Sequence, residues 1–275
     1  MVRSKRSLSQ NFLVDHNIRR KLIDALAPEP DDTVLEIGPG HGELSELLVG
    51  RVGRLVLVEK DDRLAPELAE RWGDRADVVV VHGDALETDL SALVGGRAAG
   101  SGLRLISNLP YAITSPLLFA LLDVRPLADR IVVLVQEEVA RRMTASPGGK
   151  EYGALSVGVQ TRAGAGFAFK VGRNAFRPVP GVDSAAVVLE PTTAAGLVDA
   201  AGLRRLVRAA FSRRRKQMRT ILRSPAYGLD RDQAEGVLRG LGIEPAARPE
   251  TLAPEQFEAL AARLETVGGP GHAGG

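Results

Sequence analysis

The order of apolar and polar residues in the first half of the chain predicts an α/β sheet. Apolar runs with little alternation are typical of parallel strands buried on both faces. Five such runs are predicted as strands, at residues 33–37, 54–58, 78–81, 103–107 and 131–135. Segments with helical character alternate with them, at residues 15–26, 43–49, 61–72 and 137–143. This alternation predicts parallel βαβ units with helices on both faces of the sheet.

A further helix is predicted to begin at Thr114-Ser115-Pro116, with a hydroxyl cap and the proline at the first helical position. Residues 142–153 are polar and glycine-rich, which predicts a loop. Two β-like segments follow, at residues 167–171 and 184–189. Between them, residues 176–180 carry too much proline for a central strand.

The pattern becomes helical after Pro191. Residues 199–265 contain three or four amphipathic segments. We therefore predict an α/β domain at residues 1–195 and a small all-helical domain at residues 196–275. The glycine-rich tail from about residue 267 is predicted to be disordered.

Composition excludes several kinds of protein. The chain has 275 residues, of which 44 % are hydrophobic and 25 % charged, the proportions of an ordinary globular protein. The absence of cysteine excludes disulfides, thiolate zinc sites and cysteine nucleophiles, and the four histidines have no metal-ligand spacing, so no metal is expected. No apolar run reaches the ~18 residues of a membrane span, and residues 1–10 lack the apolar region of a secretory signal. We expect a cytoplasmic protein without membrane contact.

Charge is unevenly distributed along the chain. The net charge is only +2, yet residues 203–223 contain nine basic side chains and no acid. These are Arg204, Arg205, Arg208, Arg213, Arg214, Arg215, Lys216, Arg219 and Arg223. A solvated helix face is the alternative, but so dense a run favours a phosphate-binding patch. Other basic residues extend it, namely Arg3, Lys5, Arg6, Arg141 and Arg142.

A glycine-rich turn follows the first predicted strand, in the sequence Glu36-Ile-Gly-Pro-Gly-His-Gly42. Glycines at such a turn let a ligand approach the backbone closely. A dinucleotide-binding turn would need a third glycine where this chain has Glu43, and that acid would face a pyrophosphate. S-adenosylmethionine (SAM) has no pyrophosphate and carries a cationic sulfonium, so it tolerates acids such as Glu36 and Glu43. A turn without a ligand remains the alternative.

Polar residues end the following strands as well. Glu59 is placed to accept hydrogen bonds from a ribose diol, and Asp84 from an adenine amine. Each could also be a solvated acid near a helix N-terminus. Ligands in such sheets bind at the carboxyl ends of the strands, so the succession of Gly38, Glu59, Asp84 and Asn108 favours one shared site.

The fourth predicted strand runs into Asn108-Leu109-Pro110-Tyr111. The exocyclic amine of adenine is a poor nucleophile because its lone pair is delocalised into the ring. Acceptors from the Asn108 side chain and the Leu109 carbonyl could bind its two N–H groups and favour a pyramidal nitrogen. Pro110 would fix the backbone and Tyr111 would stack on the base, without a general base. A turn with a core tyrosine is the alternative.

With these motifs, the sequence resembles the small-subunit ribosomal RNA adenine dimethyltransferase family over nearly its whole length. Matching segments are residues 9–15, the glycine turn, Glu59, Asp84, residues 108–111, 152–156, 176–184, 211–219 and 248–252. Two departures are Ala112, where a more polar residue is expected, and a glycine-rich insertion at residues 95–102. The resemblance implies a Rossmann-like SAM-dependent methyltransferase sheet with the helical domain appended.

The resemblance also assigns roles to residues. Catalytic roles are implied for Asn108, Leu109, Pro110, Tyr111 and Phe176, the last as a second stacking face for a flipped base. Cofactor contacts are implied for Asn11, Leu13, Gly38, Glu59, Asp84 and Asn108. RNA contacts are expected from Arg213, Arg214, Arg215, Lys216 and Arg219.

The implied reaction transfers two methyl groups to each of two adjacent adenosines near the 3′ end of small-subunit (16S) rRNA, on a precursor particle. We expect a monomer. Two alternatives remain: an enzyme that dimethylates large-subunit (23S) rRNA and confers macrolide resistance, and a non-catalytic assembly or transcription factor of the same fold. Leu109, where the large-subunit enzymes usually have isoleucine, and the C-terminal motifs favour the small subunit. A dinucleotide-dependent oxidoreductase is disfavoured because Glu43 stands where its third glycine is needed and because the sequence has no evident hydride-transfer residue.

Overall fold

The computed structural model describes residues 11–95, 100–192 and 200–267. The chain divides into two compact units, Met1–Ala140 with Gly164–Thr192, and Arg141–Ala163 with Thr193–Gly275. The basic residues Arg3, Lys5 and Arg6 and the predicted disordered tail beyond residue 267 lie outside the described residues, as does most of the 95–102 insertion. In the described part of the chain, no helix is long and apolar enough to cross a membrane.

The first unit is built on a seven-stranded sheet and a two-stranded ribbon. The strands are β1 (Phe12–Leu13), β2 (Thr33–Ile37), β3 (Arg54–Glu59), β4 (Val78–His82), β5 (Leu103–Asn108), β6 (Arg130–Gln136), β7 (Ala163–Val171), β8 (Phe176–Arg177) and β9 (Ser184–Pro191). The sheet order is β4-β3-β2-β5-β6-β9-β7, and β1 pairs with β8 in the ribbon. The five strands β2, β3, β4, β5 and β6 run parallel to one another, and β9 runs antiparallel to β6.

Strand register brings the carboxyl ends of the central strands to one edge. Ile37 of β2 is level with Val58 of β3 and with Ser107 of β5, so Gly38, Glu59 and Asn108 all follow at the same edge. Strand β2 lies between β3 and β5 in the sheet, and both of these strands follow it in the sequence, so the strand order reverses at β2. A crevice opens where the chain changes direction in this way.

Among the described residues, the α-helices that accompany these strands are α1 (His16–Leu26), α2 (Ser45–Leu48), α3 (Leu64–Trp72), α4 (Leu90–Val94), α5 (Thr114–Leu122) and α6 (Glu137–Met143), which runs into the second unit. Asp15 caps α1 by accepting from the backbone N–H groups of Asn17 and Ile18. Leu22, Ile23 and Leu26 on its buried face join the sheet core. The packing of this apolar face, more than helix propensity, stabilises such a helix.

The second unit consists of α6's last residues with α7 (Ala154–Gln160), α8 (Ala200–Ser212), α9 (Met218–Leu222), α10 (Arg231–Gly240) and α11 (Pro254–Val267). Its core includes Leu206, Met218, Leu238 and Phe257. The segment Arg141–Ala163 belongs to this unit, which corrects the predicted continuous domain 1–195. The physical reason is Tyr152, fully buried in the helical core and donating its hydroxyl to the Leu252 carbonyl at 2.8 Å.

The five predicted central strands and the parallel βαβ region are confirmed, with ends shifted by at most one residue. The predicted β-like segments at residues 167–171 and 184–189 lie within β7 and β9, but the antiparallel direction of β9 and the helices α4 and α7 were not predicted. The predicted hydroxyl cap at Thr114 and the predicted place of the proline at the first helical position are wrong, because α5 begins at Thr114 and Pro116 is its third residue. Thr114 is already helical, and its hydroxyl donates backwards to the carbonyls of Pro110 and Tyr111.

Candidate active site

A cavity of about 260 Å³ lies at the carboxyl ends of β2, β3 and β5. The structure brings nine of the predicted site residues into its lining: Asn11, Leu13, Gly38, Glu59, Asp84, Asn108, Leu109, Pro110 and Tyr111. These residues come from five separate segments of the chain. The cavity wall has both apolar and carboxylate character, which suits a ligand with a flat base and a polar sugar.

The glycine turn leaves open space on the cavity side. Gly38 has a φ of 66°, and a Cβ placed there would have no described atom within 4 Å. Gly40 has a φ of 64°, and its Cβ would lie 3.1 Å from the Phe12 ring. Positive φ favours glycine at both positions. The turn can therefore accept a ligand against the backbone of Gly38, which fits the predicted cofactor.

Glu59 joins the glycine turn to the end of β3. Its Oε2 accepts from the Gly40 N–H at 3.0 Å, and its Oε1 accepts from the Asp61 N–H at 2.8 Å. Burial raises the pKa of Glu59, while these backbone N–H groups lower it. Each carboxylate oxygen has a further lone pair, so Glu59 can also accept hydroxyl donors from a ligand in the cavity.

Asp84 is engaged by a residue that sequence reasoning missed. Lys60, which follows Glu59 directly, also lines the cavity and donates from Nζ to Asp84 Oδ2. Asp84 Oδ1 accepts from the Leu86 N–H at 3.0 Å. The hydrogen bond from Lys60 lowers the pKa of Asp84, which keeps it an acceptor. A base amine at Asp84 would share this carboxylate with the lysine.

Glu36 is a buried acid beneath the same turn. It is 2 % exposed and accepts from the Ser45 hydroxyl at 2.7 Å. Burial raises the pKa of Glu36 to about 8, and the charges of Glu43 and Glu59 act in the same direction. Near neutral pH, Glu36 is therefore largely protonated and adds little negative charge to the cavity.

Asn108 is oriented by a residue far away in sequence. Its Nδ2 donates to the backbone carbonyl of Asn11 at 2.9 Å, across 97 positions of the chain. Asn11 is held there because the adjacent β1 pairs with β8, with Leu13 opposite Phe176. With the amide nitrogen used in this way, the side-chain oxygen of Asn108 remains the acceptor for a substrate amine.

The turn after Asn108 is fixed at several points. The Leu109 N–H donates to the Leu134 carbonyl at 3.0 Å, and Pro110 has a φ of −59°. The Tyr111 hydroxyl lies 2.6 Å from the Ser184 hydroxyl on β9. Burial raises the pKa of Tyr111, so the phenol stays neutral. Ser184 was not predicted as a site residue, although residues 176–184 matched the family pattern.

Phe176 is placed differently from its predicted stacking role. Its side chain is fully buried in the sheet core and does not line the cavity. In this position it packs opposite Leu13 and holds β1, so its ring has no face open to a flipped base. The implied assignment as a stacking surface is therefore corrected to a buried, positioning residue.

The predicted RNA-binding residues lie in the second unit. Arg213 to Lys216 lie in a turn between α8 and α9, so the basic run at residues 203–223 is not one continuous helix. Arg213, Arg215 and Lys216 are exposed. Arg214 is partly engaged by the Gly149 and Lys150 carbonyls at 3.3 to 3.5 Å. Arg219 donates to Glu235 at 3.2 Å.

Comparison with known proteins places the chain among rRNA-modifying enzymes. Residues 1–265 match the family described as ribosomal RNA adenine dimethylase. A protein from Geobacter metallireducens named ribosomal RNA small subunit methyltransferase A is 43 % identical over 272 residues, 98 % of each chain. A protein of the same name from Pelotomaculum thermopropionicum is 41 % identical over 96 % of this chain and 92 % of its own.

Two solved structures have a similar fold. A dimethyladenosine transferase from Plasmodium falciparum matches with a TM-score of 0.80 and 27 % identity, over 94 % of this chain and 98 % of its own. The 23S rRNA methyltransferase ErmE matches with a TM-score of 0.67 and 27 % identity, over 93 % of this chain and 100 % of its own. These matches confirm the Rossmann-like methyltransferase fold. The chain belongs to the ribosomal RNA adenine dimethylase family, and it is a SAM-dependent methyltransferase.

Proposed function

We propose that this protein dimethylates the exocyclic amines of two adjacent adenosines near the 3′ end of small-subunit rRNA, on a precursor of the small ribosomal subunit. We further propose that it does so as a monomer in the cytoplasm. The observation that carries this proposal is the Asn108–Tyr111 turn, whose polar groups line the same cavity as the glycine turn and Glu59.

The choice of target is supported by the relatives. Two proteins named for the small subunit are 43 % and 41 % identical to this chain over almost their whole lengths. ErmE, named for 23S rRNA, is 27 % identical. Leu109 at the acceptor turn and the C-terminal sequence motifs favour the same target.

The cavity residues fit the cofactor. When bound, SAM supplies an electrophilic methyl group on a cationic sulfonium. Gly38 leaves room against the backbone, Glu59 offers acceptors for a ribose diol, and Asp84 offers an acceptor for a base amine. Asn11 and Leu13, held by the ribbon of β1 and β8, close the cavity on another side.

The acceptor turn works by orientation and electrostatics. Asn108 Oδ1 and the Leu109 carbonyl accept the two N–H groups of the adenine amine and direct its lone pair towards the cavity. Tyr111, held by Ser184, stacks on the base. The amine becomes acidic only as the new N–C bond forms, so no residue with a tuned pKa must remove a proton beforehand.

The base must leave its helix to reach this cavity, so the enzyme flips it out of the stack. The arginines of the second unit supply phosphate contacts that hold the surrounding RNA. Arg213, Arg215 and Lys216 are the exposed members of the predicted set, while Arg214 and Arg219 are partly committed to the protein's own carbonyls and to Glu235.

The product tests the reaction. Purified protein, SAM with a labelled methyl group and undermethylated small subunits are incubated, and the rRNA is digested to nucleosides. We expect label in N6,N6-dimethyladenosine as the end product. Label that stops at monomethyladenosine under enzyme excess, or that appears only in another nucleoside, would contradict the proposed chemistry.

A further inference from the structure

One carboxylate in the second unit binds three arginines. Glu235 on α10 accepts from Arg219 Nη1 and Arg231 Nε on its Oε1, both at 3.2 Å, and from Arg239 Nη2 on its Oε2 at 2.8 Å. Arg231, Glu235 and Arg239 are spaced four residues apart on α10, and Arg219 comes from α9. The cluster therefore joins two helices around one acid.

The burial of these groups is unequal. The Glu235 side chain is 11 % exposed, whereas those of Arg231 and Arg239 are 68 % and 67 % exposed. The three guanidinium groups hold the pKa of Glu235 below its usual range, so the acid is ionised. The Arg219 side chain is 34 % exposed, and the three positive charges and one negative charge give the cluster a net charge of +2.

The guanidinium groups keep donors for a ligand. Each guanidinium has five N–H donors in a planar fork that fits phosphate oxygens. Contacts among the described residues engage Nε and Nη1 of Arg219, Nε of Arg231 and Nη2 of Arg239. The other N–H groups of these guanidinium groups are not used in the hydrogen bonds to Glu235 and can donate to a ligand. Without Glu235, the like charges would repel one another and the side chains would separate.

We propose that Arg219, Arg231 and Arg239 form a phosphate-binding cradle for the RNA backbone, and that Glu235 is the residue that positions them. Of this set, only Arg219 belongs to the basic run at residues 203–223; the other two arginines extend the surface onto α10. This inference rests on the proposed function, because it assumes an RNA substrate.

A purely electrostatic surface and a positioned cradle make opposite predictions for Glu235→Gln. Removal of the acid raises the net charge by one, so a diffuse basic surface would bind RNA more tightly. In a positioned cradle, the arginines lose their common anchor, and we expect binding to naked small-subunit rRNA to weaken roughly fivefold. Affinity equal to or tighter than wild type would overturn the positioning role.

Replacing the arginines tests the contacts themselves. We expect Arg231→Met with Arg239→Met to weaken RNA binding by about tenfold and to reduce the slope of log affinity against log salt by about one to two. Arg263→Met, an exposed change of the same type on α11, serves as the control. Binding and slope equal to those of the control would overturn the cradle.

A charge-preserving variant tests the geometry of the cradle. The double variant Arg231→Lys with Arg239→Lys retains the two positive charges but loses the planar guanidinium fork, so we expect it to bind RNA more weakly than wild type with an unchanged salt slope. Wild-type affinity would contradict the cradle geometry. The double lysine variant also replaces Glu235→Gln as the test if thermal unfolding shows that Glu235→Gln is not folded.

If wild-type protein binds and methylates the RNA while all variants match it, only the cradle fails. If wild-type protein binds no rRNA, the proposed function fails with it.

Discussion

Asn108 combines two tasks in one side chain. Its nitrogen donates to the Asn11 carbonyl, which leaves its oxygen as an acceptor in the cavity. Sequence reasoning identified Asn108 from its place at a strand end, because the carboxyl ends of parallel strands converge. It could not identify the partner, since a contact across 97 positions depends on the pairing of β1 with β8.

Replacing Asn108 with alanine should reduce methyl transfer by about 100-fold or more, because the oriented acceptor for the amine is lost. SAM binding should change only severalfold, since Gly38 and Glu59 remain. Single-turnover transfer of labelled methyl groups and calorimetric SAM titration measure the two effects. Transfer at a near wild-type rate would contradict the orientation mechanism.

Glu36 should make stability depend on pH. Its pKa in the folded protein is about 8, against 4.5 for an ordinary glutamate. The folded state therefore binds this proton more tightly than the unfolded chain, and the associated stability is greatest below pH 4.5 and is lost as pH rises through 8. Glu36→Gln keeps an acceptor for Ser45 and cannot ionise.

We expect the melting temperature of Glu36→Gln, relative to wild type, to rise between pH 5 and pH 8 and to level off above about pH 8. Thermal unfolding at a series of pH values measures this difference. A difference that is constant with pH would mean that Glu36 does not carry a buried proton, and a decrease would mean that the sign is wrong.

At the scale of elements, the glycine turn lies against α3. Gly42 has a φ of 84°, and a Cβ there would lie 2.4 Å from the Trp72 ring. Gly38 has a similar backbone but open space at its Cβ. The two glycines thus form a matched pair, one required by packing and the other facing the cavity.

Gly42→Ala should lower the free energy of unfolding by about 2–3 kcal/mol through overpacking and backbone strain. Gly38→Ala should cost about 1 kcal/mol from the positive φ, yet weaken SAM binding more strongly because the methyl group enters the cavity. Urea unfolding and SAM titration of both variants separate the effects. Equal losses of stability would contradict the packing argument.

The sequence predicted the central sheet well because its strands are rich in apolar residues, as in the unbroken runs at residues 78–81 and 131–135. It did not predict that Arg141–Ala163 joins the helical unit, because the contacts of Tyr152 with the Phe211 ring of α8 and with the Leu252 carbonyl cannot be read from a loop sequence. Phe176 was misassigned for the same reason. The sequence motif identified Phe176 as part of the site region, but only the packing of the sheet core shows that its ring is buried.

At the scale of the whole molecule, the cavity-lining acids Glu59 and Asp84 and the basic run at residues 203–223 lie in different units. Replacing Arg213, Arg214 and Arg215 together should weaken rRNA binding and flatten its salt dependence, with SAM binding unchanged. Arg214→Met alone should have the smallest effect of the three single changes, because this residue already contacts the Gly149 and Lys150 carbonyls. An unaltered salt slope for the triple variant would contradict the assignment of these arginines as RNA contacts.

Substrate competition between small and large ribosomal subunits tests whether small-subunit rRNA is the target of methylation. Labelled SAM is supplied with undermethylated small subunits, large subunits and the corresponding naked rRNAs, and the labelled adenines are mapped. We expect label on two adjacent adenosines near the 3′ end of small-subunit rRNA. Label confined to large-subunit rRNA, or absent from both, would contradict the account.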